Sequence, residues 1–135
     1  MTNVRLARDY LERSRKRLKA VALLMQEDAF ADVVRESQEV VELLLKAVIR
    51  SFGIAVPFSH DLSEALTANA ARLPADARDR VARWSDISRH LRKDRELAFY
   101  GSEDVTPSTF YMRSDAEEAM AMAEEVLATA SLFIR

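Results

Sequence analysis

The chain predicts an all-α fold, an up-and-down four-helix bundle with a short additional helix, on three observations. Glycine and proline are scarce, at two and three in 135 residues. They gather around positions 53–57 and 101–107, with Pro74 apart, which leaves too few turns for a many-stranded sheet. Apolar residues recur in a seven-residue rhythm along several long stretches. At 49% apolar and 31% charged residues, the chain has an ordinary globular balance and reads as one domain over residues 1–135.

The first helix is expected from about Asn3 to Glu27, where Val4, Ala7, Leu11, Leu18, Val21 and Met25 keep one face. The second spans Phe30 to Phe52. Val40, Leu43, Ala47 and Ile49 spread apolar surface well beyond its main stripe, so this helix is central or pairs with a second chain. Gly53 stops it. A short helix follows near residues 61–73, with Ser59 or Asp61 as cap and Glu64 three residues after Asp61. Pro74 then opens a long helix as its first residue, and the helix runs to Tyr100, where Gly101 ends it. Residues 101–113 read as a loop. Ser114-Asp115-Ala116-Glu117 reads as a capping box for the last helix, whose stripe is Ala116, Met120, Ala123, Leu127, Ala130 and Ile134. The small residues there favour close packing.

Composition removes several classes of function. There is no cysteine, hence no disulfide, thiolate metal site or cysteine nucleophile. Neither a signal-peptide pattern nor a long apolar run occurs, so the expectation is a cytoplasmic protein without a membrane segment. No glutamate stands three residues before His60 or His90, which argues against a carboxylate-bridged metal pair. Two isolated glycines cannot build a phosphate loop, and no serine sits on a nucleophile elbow. No metal and no cofactor are expected.

The net charge of −2 conceals an asymmetry. The first helix carries Arg5, Arg8, Arg13, Arg15, Lys16, Arg17 and Lys19 against Asp9 and Glu12. Residues 78–95 are also basic, whereas the last helix holds Asp115, Glu117, Glu118, Glu124 and Glu125. A basic side attracts nucleic acid or nucleotide phosphate, although solvated helix faces carry such charges too.

The segment ending at Gly101 holds the strongest functional signal. Trp84, Ile87, Leu91 and Ala98 form its apolar stripe, and Arg95 falls inside that stripe. A guanidinium cannot shed its charge, so it must pair with a buried acid, line a cleft or lie at an interface. Tyr100 stands five residues on, and Gly101 lets the last turn unwind so that the phenol can turn back toward Arg95. Together they make a phosphate clamp with a ring for stacking on a base. Arg92 and Lys93 add charge beside it. A second arrangement is Arg83 with His90, seven apart on one face, where an imidazole could take a proton from a ribose hydroxyl. Its plainer reading is an exposed polar face. Glu42 and Lys46 read as a stabilising i,i+4 pair that could orient a neighbour, and His60 as a local hydrogen bonder at a helix start.

The chain resembles the HEPN family, the higher eukaryotes and prokaryotes nucleotide-binding domains. The resemblance lies in Tyr10-Leu11-Glu12, in the Val40-Val41-Glu42-x-x-x-Lys46-Ala47 run and in Pro57-Phe58-Ser59-His60-Asp61-Leu62. It continues through Leu91-Arg92-Lys93-Asp94-Arg95-Glu96-Leu97-Ala98-Phe99-Tyr100-Gly101 to Ser114-Asp115-Ala116, in order and over nearly the whole chain. It implies a small helical bundle, usually a homodimer, that binds nucleotide or RNA. Many members are paired with a nucleotidyltransferase antitoxin. Many members are metal-independent ribonucleases or toxins with an Arg-x(4–6)-His motif shared across the dimer. Here that motif reads Arg95-x(4)-Tyr100, and Tyr100 replaces the histidine. A phenol stays protonated at neutral pH and makes a poor general base. Nucleotide or RNA binding through Arg92, Lys93, Arg95 and Tyr100 is therefore the first expectation. A metal-independent endoribonuclease using Arg95 with Tyr100, or Arg83 with His90, is the alternative, and a structural interaction domain is the third.

Overall fold

The computed structural model describes residues 2–56, 62–93 and 100–134, and the described residues are helical with no strand. The elements are α1 (Thr2–Gln26), α2 (Phe30–Ser51), α3 (Leu62–Ala68), α4 (Ala75–Arg78), α5 (Val81–Lys93), α6 (Pro107–Phe110) and α7 (Arg113–Ala130). Single 3-10 turns follow α3 and α7, at Ala70–Arg72 and Ser131–Phe133.

α2 is the central helix. It packs along α1 and α7 and also touches α3 and α5. Val33, Val40, Leu44, Leu45, Ala47 and Val48 are wholly buried in the chain's own core, and Asp32 is its one exposed residue. The wide apolar girth is thus consumed within the chain. Gly53 adopts a φ of 72°, and Ile54 N–H reaches back to Ile49 O at 3.2 Å while Gly53 N–H bonds Arg50 O at 3.0 Å. Ile54 and Ile49 are both buried, the apolar contact that completes such a helix end.

The α1–α2 corner repeats this hydrogen-bond pattern without glycine. Ala29 N–H bonds Leu24 O and Asp28 N–H bonds Met25 O, with Asp28 at a φ of 56°. Arg113, the first residue of α7, donates to Asp28 Oδ1 at 2.6 Å and lies 5.0 Å over the Phe30 ring. The strained residue thereby fastens α7 to the corner. Asp28→Gly relieves the left-handed strain but loses this exposed ion pair, so thermal melts should show little net change. Asp28→Val keeps the strain, adds β-branching and loses the pair, and should cost about 1–2 kcal/mol.

Several boundaries depart from expectation. The helix expected from Pro74 to Tyr100 is broken: α4 is one turn, Pro74 precedes it at a ψ of 157°, and Arg80 O accepts the first bond of α5 from Trp84 N–H at 3.0 Å. Residues 94–99 lie outside the described residues. The stretch 101–113 is not all loop, because Thr106 and Pro107 start the single turn α6. α7 starts before the expected Ser114-to-Glu117 box. Met112 N–H donates to Asp115 Oδ2 at 2.8 Å, so Asp115 provides the carboxylate that closes the first turn. On α7 the buried stripe is Ala116, Ala119, Ala123, Val126 and Ala130, with Met120 and Leu127 only half-buried. On α1, wholly buried Ser14 fills the gap in the rhythm between Leu11 and Leu18.

Candidate functional site

The end of α5 carries only part of the expected site within the described residues. Trp84, Ile87 and Leu91 are buried as the stripe requires. Arg95 lies outside the described residues, as do His60 and the capping candidates Ser59 and Asp61. Arg92 and Lys93 are exposed in the last described turn of α5. Tyr100 is 77% exposed and directly precedes Gly101. Gly101 has a φ of 76°, and a Cβ there would come within 2.6 Å of Val105 O and 2.7 Å of Pro107 Cδ. Ser102 N–H bonds Val105 O at 2.9 Å to close the same turn. Glycine is therefore required at this position twice over, by dihedral and by space. The turn fixes where the phenol emerges.

Arg83 and His90 stand elsewhere. They lie on the flank of α5 that faces α7, and each is held by an acid of that helix. Arg83 binds Glu125 through two parallel hydrogen bonds, Nε to Oε2 at 2.7 Å and an Nη to Oε1 at 2.9 Å. His90 Nε2 lies 2.7 Å from Glu118 Oε1. The arginine–histidine and glutamate–glutamate spacings are both seven residues and run in opposite chain directions, as neighbouring antiparallel helices require. Between the two pairs and the bundle end, Trp84 Nε1–H donates to Thr129 Oγ1 at 2.8 Å, and that hydroxyl donates to Glu125 O. The geometry is a clasp joining α5 to α7. Glu118, Glu125 and Thr129 were missed in the sequence; the signal was the matching spacing of Glu118–Glu125 and Arg83–His90.

The electrostatics agree. The hydrogen bonds from Arg83 hold the Glu125 carboxyl below its ordinary value, opposed by partial desolvation, and the same contact raises Arg83. A carboxylate depressed in the folded state contributes stability above its ordinary range, and that contribution is lost as pH falls through the folded value. For Arg83 the raised value places its loss at strongly alkaline pH. Glu125→Gln should therefore remove part of the acid-induced loss of stability, most visibly below about pH 4.5, in melts recorded from about pH 3 to 7. Since both partners are exposed at 55% and 39%, the change should be small.

Beneath the clasp, Val34, His90, Leu91, Tyr111, Asp115, Glu118 and Ala119 line a recess of about 30 Å³, the size of one water. Tyr111 is 4% exposed, with its ring edge-on to Phe110 at 5.0 Å. On α2, Lys46 Nζ lies 3.2 Å from Glu42 Oε1, and Gln38 Nε2 donates to Glu42 Oε2 at 2.9 Å. Arg35 pairs with Glu39 one turn earlier. These charges are half-buried, so Glu42 is held in place from two sides. Among the described residues no three His, Asp or Glu side chains group as a metal site would require. No described helix is long and apolar enough to cross a membrane.

No curated protein and no solved structure matches the chain. The family model of the HEPN domain matches residues 7–132. That match runs from the second turn of α1 to beyond α7 and takes in the half-buried Glu42–Lys46 pair and the Tyr100-Gly101 turn, and the chain belongs to the HEPN family.

Proposed function

We propose that this HEPN-family chain is a binding domain that holds nucleotide or RNA phosphate at the far end of α5. Arg92, Lys93 and Arg95 supply the cations and Tyr100 supplies a ring for stacking. The observation that carries the reading is the 77% exposed Tyr100, set by an obligatory glycine turn after a helix whose last described turn holds His90, Arg92 and Lys93. The C-terminal end of a helix repels anions, and cations concentrated there offset that field while offering charge-assisted bonds to phosphate. The domain acts as a homodimer beside a nucleotidyltransferase-type partner, in a toxin–antitoxin arrangement. Its expected interface includes the Arg95 end; the girth of α2 is already covered inside the chain.

The reading is tested by titrating AMP, ATP and a short single-stranded RNA into the protein at low salt with EDTA present. Binding should be saturable and the RNA should stay intact. Tyr100→Ala should weaken it about tenfold, as expected for the loss of one stacked base. Equal affinity of that variant and of an Arg92→Ala/Lys93→Ala double variant with the original would refute the site. Cleavage of the RNA, lost in both Arg95→Ala and His90→Ala, would instead establish the endoribonuclease. That reaction would require His90 to leave Glu118 and Arg83 to leave Glu125 if they were its catalytic pair. Light scattering that shows a monomer at micromolar protein would refute the dimer.

A further inference from the structure

The outer face of α1 carries a run of exposed charge away from the α5 end. Arg5, Arg8, Glu12, Arg15, Lys16 and Lys19 follow one another at helical spacing, and all are exposed. They lie opposite Ala7, Leu11, Ser14, Leu18 and Val21, which are buried. Arg15 is paired with Glu12 at 2.5 Å, while Arg5, Lys16 and Lys19 have no ion-pair partner among the described residues. Arg13 and Arg17 lean to the flank, toward Asp9 and Glu36. With Asp9 and Glu12 set against Arg5, Arg8, Arg15, Lys16 and Lys19, the face has a net excess of about three positive charges on a chain whose overall charge is −2.

We infer that the outer face of α1 is a second nucleic-acid surface, one that tracks the phosphate backbone of an RNA strand without reading its sequence. From Arg5 to Lys19 the cations are strung along about 21 Å of helix. A single phosphate would meet one or two of them, whereas a polynucleotide presents charge at intervals over the same length. The face offers no asparagine or glutamine, and its lysines and arginines are spread along the helix as phosphate-contacting cations, which position a strand without carrying sequence information. α1 and α5 both pack on α2 and α7 but not extensively on each other, so this surface and the α5 end lie on different helices of the bundle. The inference shares with the proposed function only its class of ligand.

The test is fluorescence anisotropy of a labelled single-stranded RNA of about 20 nucleotides, with AMP titrated in parallel as the mononucleotide probe. The full chain should bind RNA with a log–log salt slope of about −3, equally for different homopolymers. Lys16→Glu/Lys19→Glu should lose at least tenfold in RNA affinity, flatten the slope and leave AMP binding unchanged, with an unaltered melting curve showing that the bundle is intact. A milder Lys16→Gln/Lys19→Gln variant should fall between. Undiminished RNA binding by the reversed-charge variant, or no RNA binding at low salt, overturns the inference. If AMP fails to bind while RNA binding still depends on Lys16 and Lys19, the α5 site falls and the α1 surface stands.

Discussion

Trp84→Ala should cost the fold about 3–5 kcal/mol, because Trp84 is the largest of the fully buried side chains among the described residues. Trp84 is 1% exposed on the α5 flank and packs edge-on to Phe133 with ring centroids 6.0 Å apart. Its indole N–H also reaches Thr129 across the helix seam. Truncation therefore removes a large buried side chain, an aromatic pair and a hydrogen bond between α5 and α7 together. Trp84→Phe separates these contributions. It retains most of the packing, leaves Thr129 bonded to the Glu125 carbonyl, and should cost about 1–2 kcal/mol. Urea unfolding followed by circular dichroism measures both. A loss below about 1 kcal/mol for Trp84→Ala would mean that α5 is not seated on this side chain.

Ala123→Leu comes second, at about 1–3 kcal/mol, by overpacking rather than by leaving a void. Ala123 is wholly buried in the stripe of small residues through which α7 lies against α2. Three additional carbons there must push the helices apart or twist a neighbour off its rotamer. The control is Ala121→Leu on the exposed side of the same helix, which should change stability by less than about 0.5 kcal/mol. Equal effects of the two substitutions would show that α7 does not approach α2 through its alanines.

The sequence made the helical layers legible because burial follows the period of the helix. The rhythm of Ala7, Leu11, Leu18 and Val21, the broad apolar girth of α2 and the stop at Gly53 all reappear as packing. What escaped depends on local geometry or on partners distant in the chain. Asp79 and Arg80 give no breaking signal, yet α4 and α5 meet there. Asp115 closes the first turn of α7 through a backbone N–H two residues before the expected cap, and side-chain oxygens at either register look alike in a sequence. Ser14 and Asp28 were unmarked because serine is usually exposed and aspartate rarely takes a positive φ.

The candidate site divides in the same way. Gly101 was readable as a turn, since a lone glycine at a helix end takes a positive φ at little cost. Arg83 and His90 were readable as sharing a face. Their engagement by Glu125 and Glu118 was not, because it joins positions 42 and 28 residues apart on two helices. The clasp provides the structural reading for this pair that their seven-residue spacing alone left open.

The most direct measurement on the central claim is a paired one on Arg95→Ala: its melting curve, and its affinity for AMP and short RNA. If this cation serves a ligand, the variant melts within a few degrees of the original, and nucleotide binding is lost. A collapse of the melting transition, or affinity equal to that of the original chain, would show that Arg95 holds the bundle together or does nothing for the ligand.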